Sequence, residues 1–289
     1  TRHEYLHRTL NITGGDTTIR VDSSYQMLGY DFSILKLSGY FAVNHKITKK
    51  HLIKAGINFD NISMNLQDSV LNDLDDPNSW KTRWDFKGTA FLIQPFVQWK
   101  WKVNENMDVT AGLHAQYFTL SNSIIPAEPR VGWKYRMAGN QAIFAGGGLH
   151  SQTQPYYTYA YDPDNNGNPH NLKMDFSRSL HSGVGYEKSF GPGLNFKTEA
   201  YYQYLYNLPI SMNENAFSLV NAGGGFSRVF PNDTLVNEGK GVNYGFEFTL
   251  QKYFSKSFFF MASASIYESK YLASDGIWRN TSYKGANIS

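Results

Sequence analysis

The stretch Phe91-Leu92-Ile93-Gln94-Pro95-Phe96-Val97-Gln98-Trp99-Lys100-Trp101-Lys102 decides how the chain reads. Every second residue, Phe91, Ile93, Pro95, Val97, Trp99 and Trp101, is apolar. Between them stand Gln94, Gln98, Lys100 and Lys102, with Leu92 and Phe96 as exceptions. Period two is the mark of a strand with one apolar and one wetter face. After the polar turn at 103–106 the alternation resumes with Val109, Ala111, Leu113, Ala115 and Tyr117. The arms of this hairpin run to about eleven residues, the length of a tilted strand crossing a bilayer, and about twice the usual globular strand. Trp99 and Trp101 sit near the turn, where an interfacial aromatic girdle belongs.

Working outward, residues 5–12 and 17–26 read as a strand pair around Gly14-Gly15-Asp16, with Thr17, Ile19, Val21, Ser23 and Tyr25 on one face. The next pair is 33–46 and 51–64, with Leu35, Leu37, Gly39, Phe41 and Val43 facing one way and Lys36, Ser38, Tyr40 and Asn44 the other. A loop is expected over 65–88 and another over 121–127. Strands follow near 129–137, 141–151, 177–189, 194–206, 242–251 and 258–270, with long loops at 152–176 and 207–240. Tight turns fall near 14, 48, 104, 139, 191 and 255. The expectation is therefore an all-β fold, an antiparallel transmembrane β-barrel segment of about twelve strands. Short turns lie on one side and long loops on the other, as in outer-membrane barrels.

Composition agrees. The chain has 289 residues, 20 Tyr, 20 Phe and a mean hydropathy of −0.45, which barrel strands with one apolar face tolerate. No apolar run is long enough for a transmembrane helix. The net charge of +3 makes no electrostatic case for nucleic acid, and the absence of cysteine removes disulfides and thiol nucleophiles. The chain opens at Thr1 without a signal peptide, so a piece of a longer precursor is expected.

Four groups of residues are candidates for function. Trp80, Trp84, Tyr156, Tyr157, Tyr159, Tyr161, Asn213 and Asn215 fall in the expected external loops. They can stack on and hydrogen-bond a bulky polar ligand; for the four tyrosines, loop-on-loop packing or an aromatic girdle is the alternative. Arg130, Lys134, Arg136, Lys197, Glu199, Glu247 and Gln251 occupy the polar strand face, which in a barrel is the lumen; mutual pairing across strands is the alternative. Asp162-Pro163-Asp164-Asn165-Asn166-Gly167 matches the first half of a calcium loop, yet Lys173 stands where the bidentate Glu belongs, and the prolines suit a solvated turn. Asp162, Asp164 and Asn166 are thus the residues of a calcium-like loop in a chain otherwise read as metal-free. His150 and Ser151 are adjacent on a strand, so they point to opposite faces and form no nucleophile–base pair. No cofactor and no catalytic residue is expected.

Several runs resemble the C-terminal barrel of TonB-dependent outer-membrane transporters. They are Gly146-Gly147-Gly148-Leu149-His150-Ser151-Gln152-Thr153-Gln154-Pro155, Glu199-Ala200-Tyr201-Tyr202-Gln203-Tyr204-Leu205, Leu235-Val236-Asn237-Glu238-Gly239-Lys240-Gly241 and Asn243-Tyr244-Gly245-Phe246-Glu247-Phe248-Thr249-Leu250-Gln251-Lys252-Tyr253-Phe254-Ser255. The resemblance is closest to the subfamily whose chains begin with a carboxypeptidase-regulatory-like domain. It implies that residues 1–289 are part of a receptor barrel lacking plug, signal peptide and closing strands. It also implies binding and import of a nutrient ligand at the outer membrane, with lipid, plug domain and TonB complex as partners. A plug-free porin or channel, and an outer-membrane lipase or protease, are the rival readings.

Overall fold

The computed structural model describes residues 2–13, 16–73, 76–191, 193–222, 233–255, 257–283 and 285–288, with side chains from residue 26 onward, Ser255 excepted. The expected turn at Gly14-Gly15 and the facing of Thr17, Ile19, Val21, Ser23 and Tyr25 lie outside the described residues. So do Pro192, Lys256 and residues 223–232 of the expected turns and loop.

Eleven long strands follow one another as neighbours: β1 (Arg2–Thr13), β2 (Asp16–Lys46), β3 (His51–Leu71), β4 (Trp80–Lys102), β5 (Met107–Phe118), β6 (Ser123–Met137), β7 (Gln141–Gln152), β8 (Ser177–Ser189), β9 (Leu194–Ser211), β10 (Leu235–Ser255) and β11 (Phe258–Leu272). Two short strands, β12 (Trp278–Asn280) and β13 (Gly285–Ile288), both pair with β11. Every pairing is antiparallel and the sheet does not close on itself among the described residues. This is the all-β, barrel-type sheet read from the alternation.

The two faces separate as expected. Phe41 is 66% and Val97 40% exposed, and Leu35, Leu37, Phe59, Phe91, Trp99, Leu113, Val131, Val184, Phe246 and Ile266 are exposed beside them on the same face. So large a contiguous apolar surface suits a hydrocarbon solvent rather than water. At its turn end the rings of Trp99 and Trp101 stack with centroids 5.7 Å apart, and Trp99 Nε1 donates to His51 Nδ1 at 3.1 Å. The exception Phe96 has a reason. It lies opposite Gly56 on the polar face, and its ring covers the place a Gly56 side chain would occupy: a Cβ there would meet Phe96 Cζ at 2.9 Å.

Three expected boundaries are corrected. Residues 17–26 and 33–46 form one strand, β2, of 31 residues. No proline interrupts it, and its ladder passes from β1 to β3 at Leu28 and Gly29, so its backbone groups stay paired. With β2 a single strand, the paired residues Thr13 and Asp16 lie at the end of the sheet opposite the short connection at 47–50. The expected loop at 65–88 shrinks to residues 72–79, placing Trp80 and Trp84 on β4 rather than in a loop. The expected loop at 121–127 is strand from Ser123, after a tight turn closed by Asn122 at φ 54°. The remaining long connections are residues 153–176 and 212–234.

Candidate functional site

The long-loop end is built by residues 153–176, which fold back onto the polar face of β3, β4 and β5. There that face is no longer polar. Ile62, Met64 and Leu66 of β3, Trp84, Ala90 and Leu92 of β4 and Phe118 of β5 form a buried cluster with Tyr159, Ala160, Tyr161, Met174 and Phe176. A one-turn helix, α1 (Tyr156–Tyr159), starts after Pro155, whose fixed φ suits the turn. Trp84 Nε1 donates to the Tyr157 carbonyl at 2.8 Å. The Phe118 and Tyr159 rings meet edge-to-face at 5.4 Å, and Trp84 and Tyr161 lie 5.3 Å apart. Burial pushes the phenols of Tyr156, Tyr157 and, furthest, Tyr159 above their ordinary pKa, because a phenolate cannot be solvated there.

Polar side chains fasten the loop. Gln154 Nε2 donates to Asp175 O at 3.0 Å. Asn171 bridges to the next loop, donating to Asp233 O at 2.9 Å and accepting from Leu235 N at 2.8 Å. Asn171 was not visible as functional or structural in the sequence, because its partners lie more than sixty positions away.

The eight residues expected to meet a ligand divide into two groups. Trp84, Tyr159 and Tyr161 are buried in the cluster, whereas Trp80 is exposed at the start of β4 and Tyr156 and Tyr157 are half-buried. Asn213 and Asn215 are exposed in the loop after β9. Asn213 Nδ2 donates to Asp233 Oδ1 at 2.5 Å, and Asn215 O accepts from Ser274 Oγ at 3.3 Å. Asn215 therefore sits with the segment after β11, where the Arg279 guanidinium holds the Asp275 carboxyl down at about 2, and Asn213 sits with the residues leading into β10.

Arg130, Lys134, Arg136, Lys197, Glu199, Glu247 and Gln251 share the polar face by register. Several are paired: Arg136 with Asp108 at 2.5 Å, Lys197 with Glu199 at 2.9 Å, and Lys134 with Glu187. Arg130, Lys134, Arg136, Lys197 and Glu199 line an open cavity of about 800 Å³ with His150 and His181 on its wall.

One buried acid escaped the sequence reading. Pro126 and Ala127 make a bulge opposite Ala115, and the next residue, Glu128, turns inward. Its carboxylate meets His114 Nδ1 at 2.5 Å, Arg130 at 3.0 Å and Gln116 Nε2 at 3.1 Å, and accepts a hydrogen bond from the Ser151 hydroxyl. The β6–β7 ladder ends at Arg130 and Gly148, and this network spans the gap beyond it. The order is Ser–Glu–His, so the Ser151 hydroxyl donates to a carboxylate and no imidazole takes its proton. His150 packs against the His181 ring, centroids 4.5 Å apart.

The family model for the TonB dependent receptor-like β-barrel matches residues 1–289, the whole sequence. The chain belongs to the TonB-dependent receptor β-barrel family. No curated protein sequence matches significantly. Solved structures do. The siderophore receptor PirA from Pseudomonas aeruginosa aligns with a TM-score of 0.57 at 13% identity, over 86% of this chain and 46% of that one. The FrpB iron transporter from Neisseria meningitidis (F3-3 variant) gives 0.58 at 12%, over 85% and 37%. The outer membrane transporter YddB from Escherichia coli gives 0.58 at 8%, over 90% and 40%. At such identities the likeness is one of fold. The chain spans less than half the length of these structures.

Proposed function

We propose that the chain is part of the wall of a TonB-dependent outer-membrane importer, a protein of binding and gating rather than catalysis. The observation that carries this is the two-faced sheet: a continuous apolar face for lipid, a charged face for the lumen and its plug, and the long connections gathered at one end. In this reading Arg130, Lys134, Arg136, Lys197, Glu199, Glu247 and Gln251 line the lumen. Trp80, Tyr156, Tyr157, Asn213 and Asn215 offer exposed rings and amides to a nutrient ligand on the external side. Trp84, Tyr159 and Tyr161 hold that surface in place from beneath. The plug, a carboxypeptidase-regulatory-like domain and the TonB complex act with it in the full-length protein. The hydrolase alternative would rest on Ser151, Glu128 and His114, but their order is not nucleophile–imidazole–carboxylate, and His114, Arg130 and Gln116 share the one carboxylate that Ser151 reaches.

The test is conductance and uptake by the full-length protein. In a planar bilayer it is expected to stay closed to small ions, and in cells ligand uptake is expected to vanish when TonB is deleted. A constitutively open pore, or uptake independent of TonB, would move the reading to a plug-free channel.

A further inference from the structure

We propose that residues 162–168 hold a calcium ion, with Asp162, Asp164 and Asn166 as side-chain ligands. Asp162 is only 6% exposed, at the edge of the tyrosine cluster. One of its carboxylate oxygens, Oδ2, accepts the Gly167 N–H at 2.8 Å, so the group points into the loop that follows it. The other, Oδ1, is sealed from solvent and has no hydrogen-bond partner. A buried carboxylate oxygen with neither donor nor cation is costly, and a bound cation removes that cost.

The loop is shaped for one. Asp162, Asp164, Asn166 and Gly167 occupy positions one, three, five and six of a calcium loop, and the sixth needs a sharp turn that glycine makes best. Gly167 has φ +77°, in the left-handed region, and Asn165 N donates back to Asp162 O at 3.2 Å. Asn166 Oδ1 accepts from Asn168 N at 2.9 Å and keeps a second lone pair. Asp164 Oδ2 meets His170 Nε2 at 2.9 Å, so His170 and the ion compete for one oxygen of that carboxylate. Among the described residues no three of His, Cys, Asp and Glu converge on a metal. The side-chain donors named, two carboxylates and an amide oxygen, are hard oxygen ligands of the kind calcium takes together with carbonyl and water oxygens. Lys173 in place of the bidentate Glu removes one strong ligand. The affinity should then sit with the extracellular calcium modules, on the order of 10⁻⁴–10⁻³ M. An external loop is the place where such an affinity is useful. The ion would clamp the strand side of the loop, because Asp162 N donates to Arg83 O at 3.2 Å.

The experiment uses the full-length protein in detergent with terbium as a luminescent calcium probe. Trp84 and Tyr161 beside the loop serve as sensitisers, and calcium or magnesium as competitor. Saturable luminescence displaced by calcium but not by equal magnesium, and weakened about tenfold or more by Asp162→Asn and by Asp164→Asn, is the expected result. Asp164 is the more exposed of the two, so its variant leaves the buried cluster intact; an unchanged proteolytic pattern in calcium-free buffer checks this. No saturable signal up to about 10 mM calcium-displaceable probe, or a signal that Asp164→Asn leaves untouched, overturns the site.

Discussion

Trp84 Nε1 donates a hydrogen bond to the carbonyl of Tyr157, 2.8 Å away, and so joins β4 to a loop that lies seventy-three positions later in the chain. The indole is fully buried, with Phe32 and Tyr161 against its ring at 5.8 and 5.3 Å. Trp84→Ala should destabilise the loop end by about 3–5 kcal/mol, the usual loss for a buried large aromatic. Trp84→Phe keeps most of the volume but strands the carbonyl, for about 1–3 kcal/mol. Limited proteolysis within 153–176 reads both. Equal resistance in wild type and Trp84→Ala would show that the indole does not hold the loop.

Val97 and Gln98 test the two faces. Val97 lies on the apolar face between Ala55 and Leu113, and Gln98 on the polar face between Lys54 and Gly112. Val97→Arg should cost about 2–4 kcal/mol in a bilayer, as charges do near the midplane, and Gln98→Arg far less. A folding titration in lipid vesicles that gave equal costs would contradict the facing.

Glu128 is the acid that four side chains share. Glu128→Gln keeps the acceptor for Ser151 but loses the charge facing His114 and Arg130, a loss of about 1.5–3 kcal/mol. Glu128→Leu also leaves Gln116 and Ser151 without partners and should cost more. Denaturant midpoints of the refolded barrel rank the three proteins; a leucine variant as stable as wild type would mean that the network adds nothing to the β6–β7 seam.

Tyr159 makes the loop sensitive to alkali. Its folded pKa is raised by burial above the ordinary tyrosine value of about 10. The neutral phenol is thus favoured by folding. The packing contribution is complete below the unfolded value and is lost as pH rises through it toward the folded one. Tyr159→Phe removes the ionisable group, together with the bond its oxygen accepts from Gln154 N at 3.1 Å. The alkaline midpoint for loop release, followed by proteolysis across a pH series, should move upward in this variant. An unmoved midpoint would assign the alkaline transition elsewhere.

What was legible in the sequence was local. Leu35, Leu37, Phe41 and Val43, and Phe91, Ile93, Val97 and Trp99, share faces because successive side chains of a strand must alternate, whatever else surrounds them. The tight connections at 47–50, 103–106 and 138–140 carry polar and glycine turn chemistry that needs no tertiary context. The reading failed where a distant segment covers the polar face. Ile62, Leu66, Trp84 and Phe86 break the alternation because the loop 153–176 packs on them, so strand was taken for loop across 65–88. The same contact buries Tyr159 and Tyr161, which by composition alone stood open as either ligand platform or packing.

Period two, fixed by backbone stereochemistry, made the antiparallel sheet, its two faces and most of its short turns a property of the sequence alone. The continuity of β2, the inward fold of the tyrosine loop, the bulge that turns Glu128 inward and the sealing of Asp162 were decided only by tertiary structure. Each depends on which remote segments meet. That is set by summed packing and by the pairing of buried polar groups, neither of which a local pattern encodes.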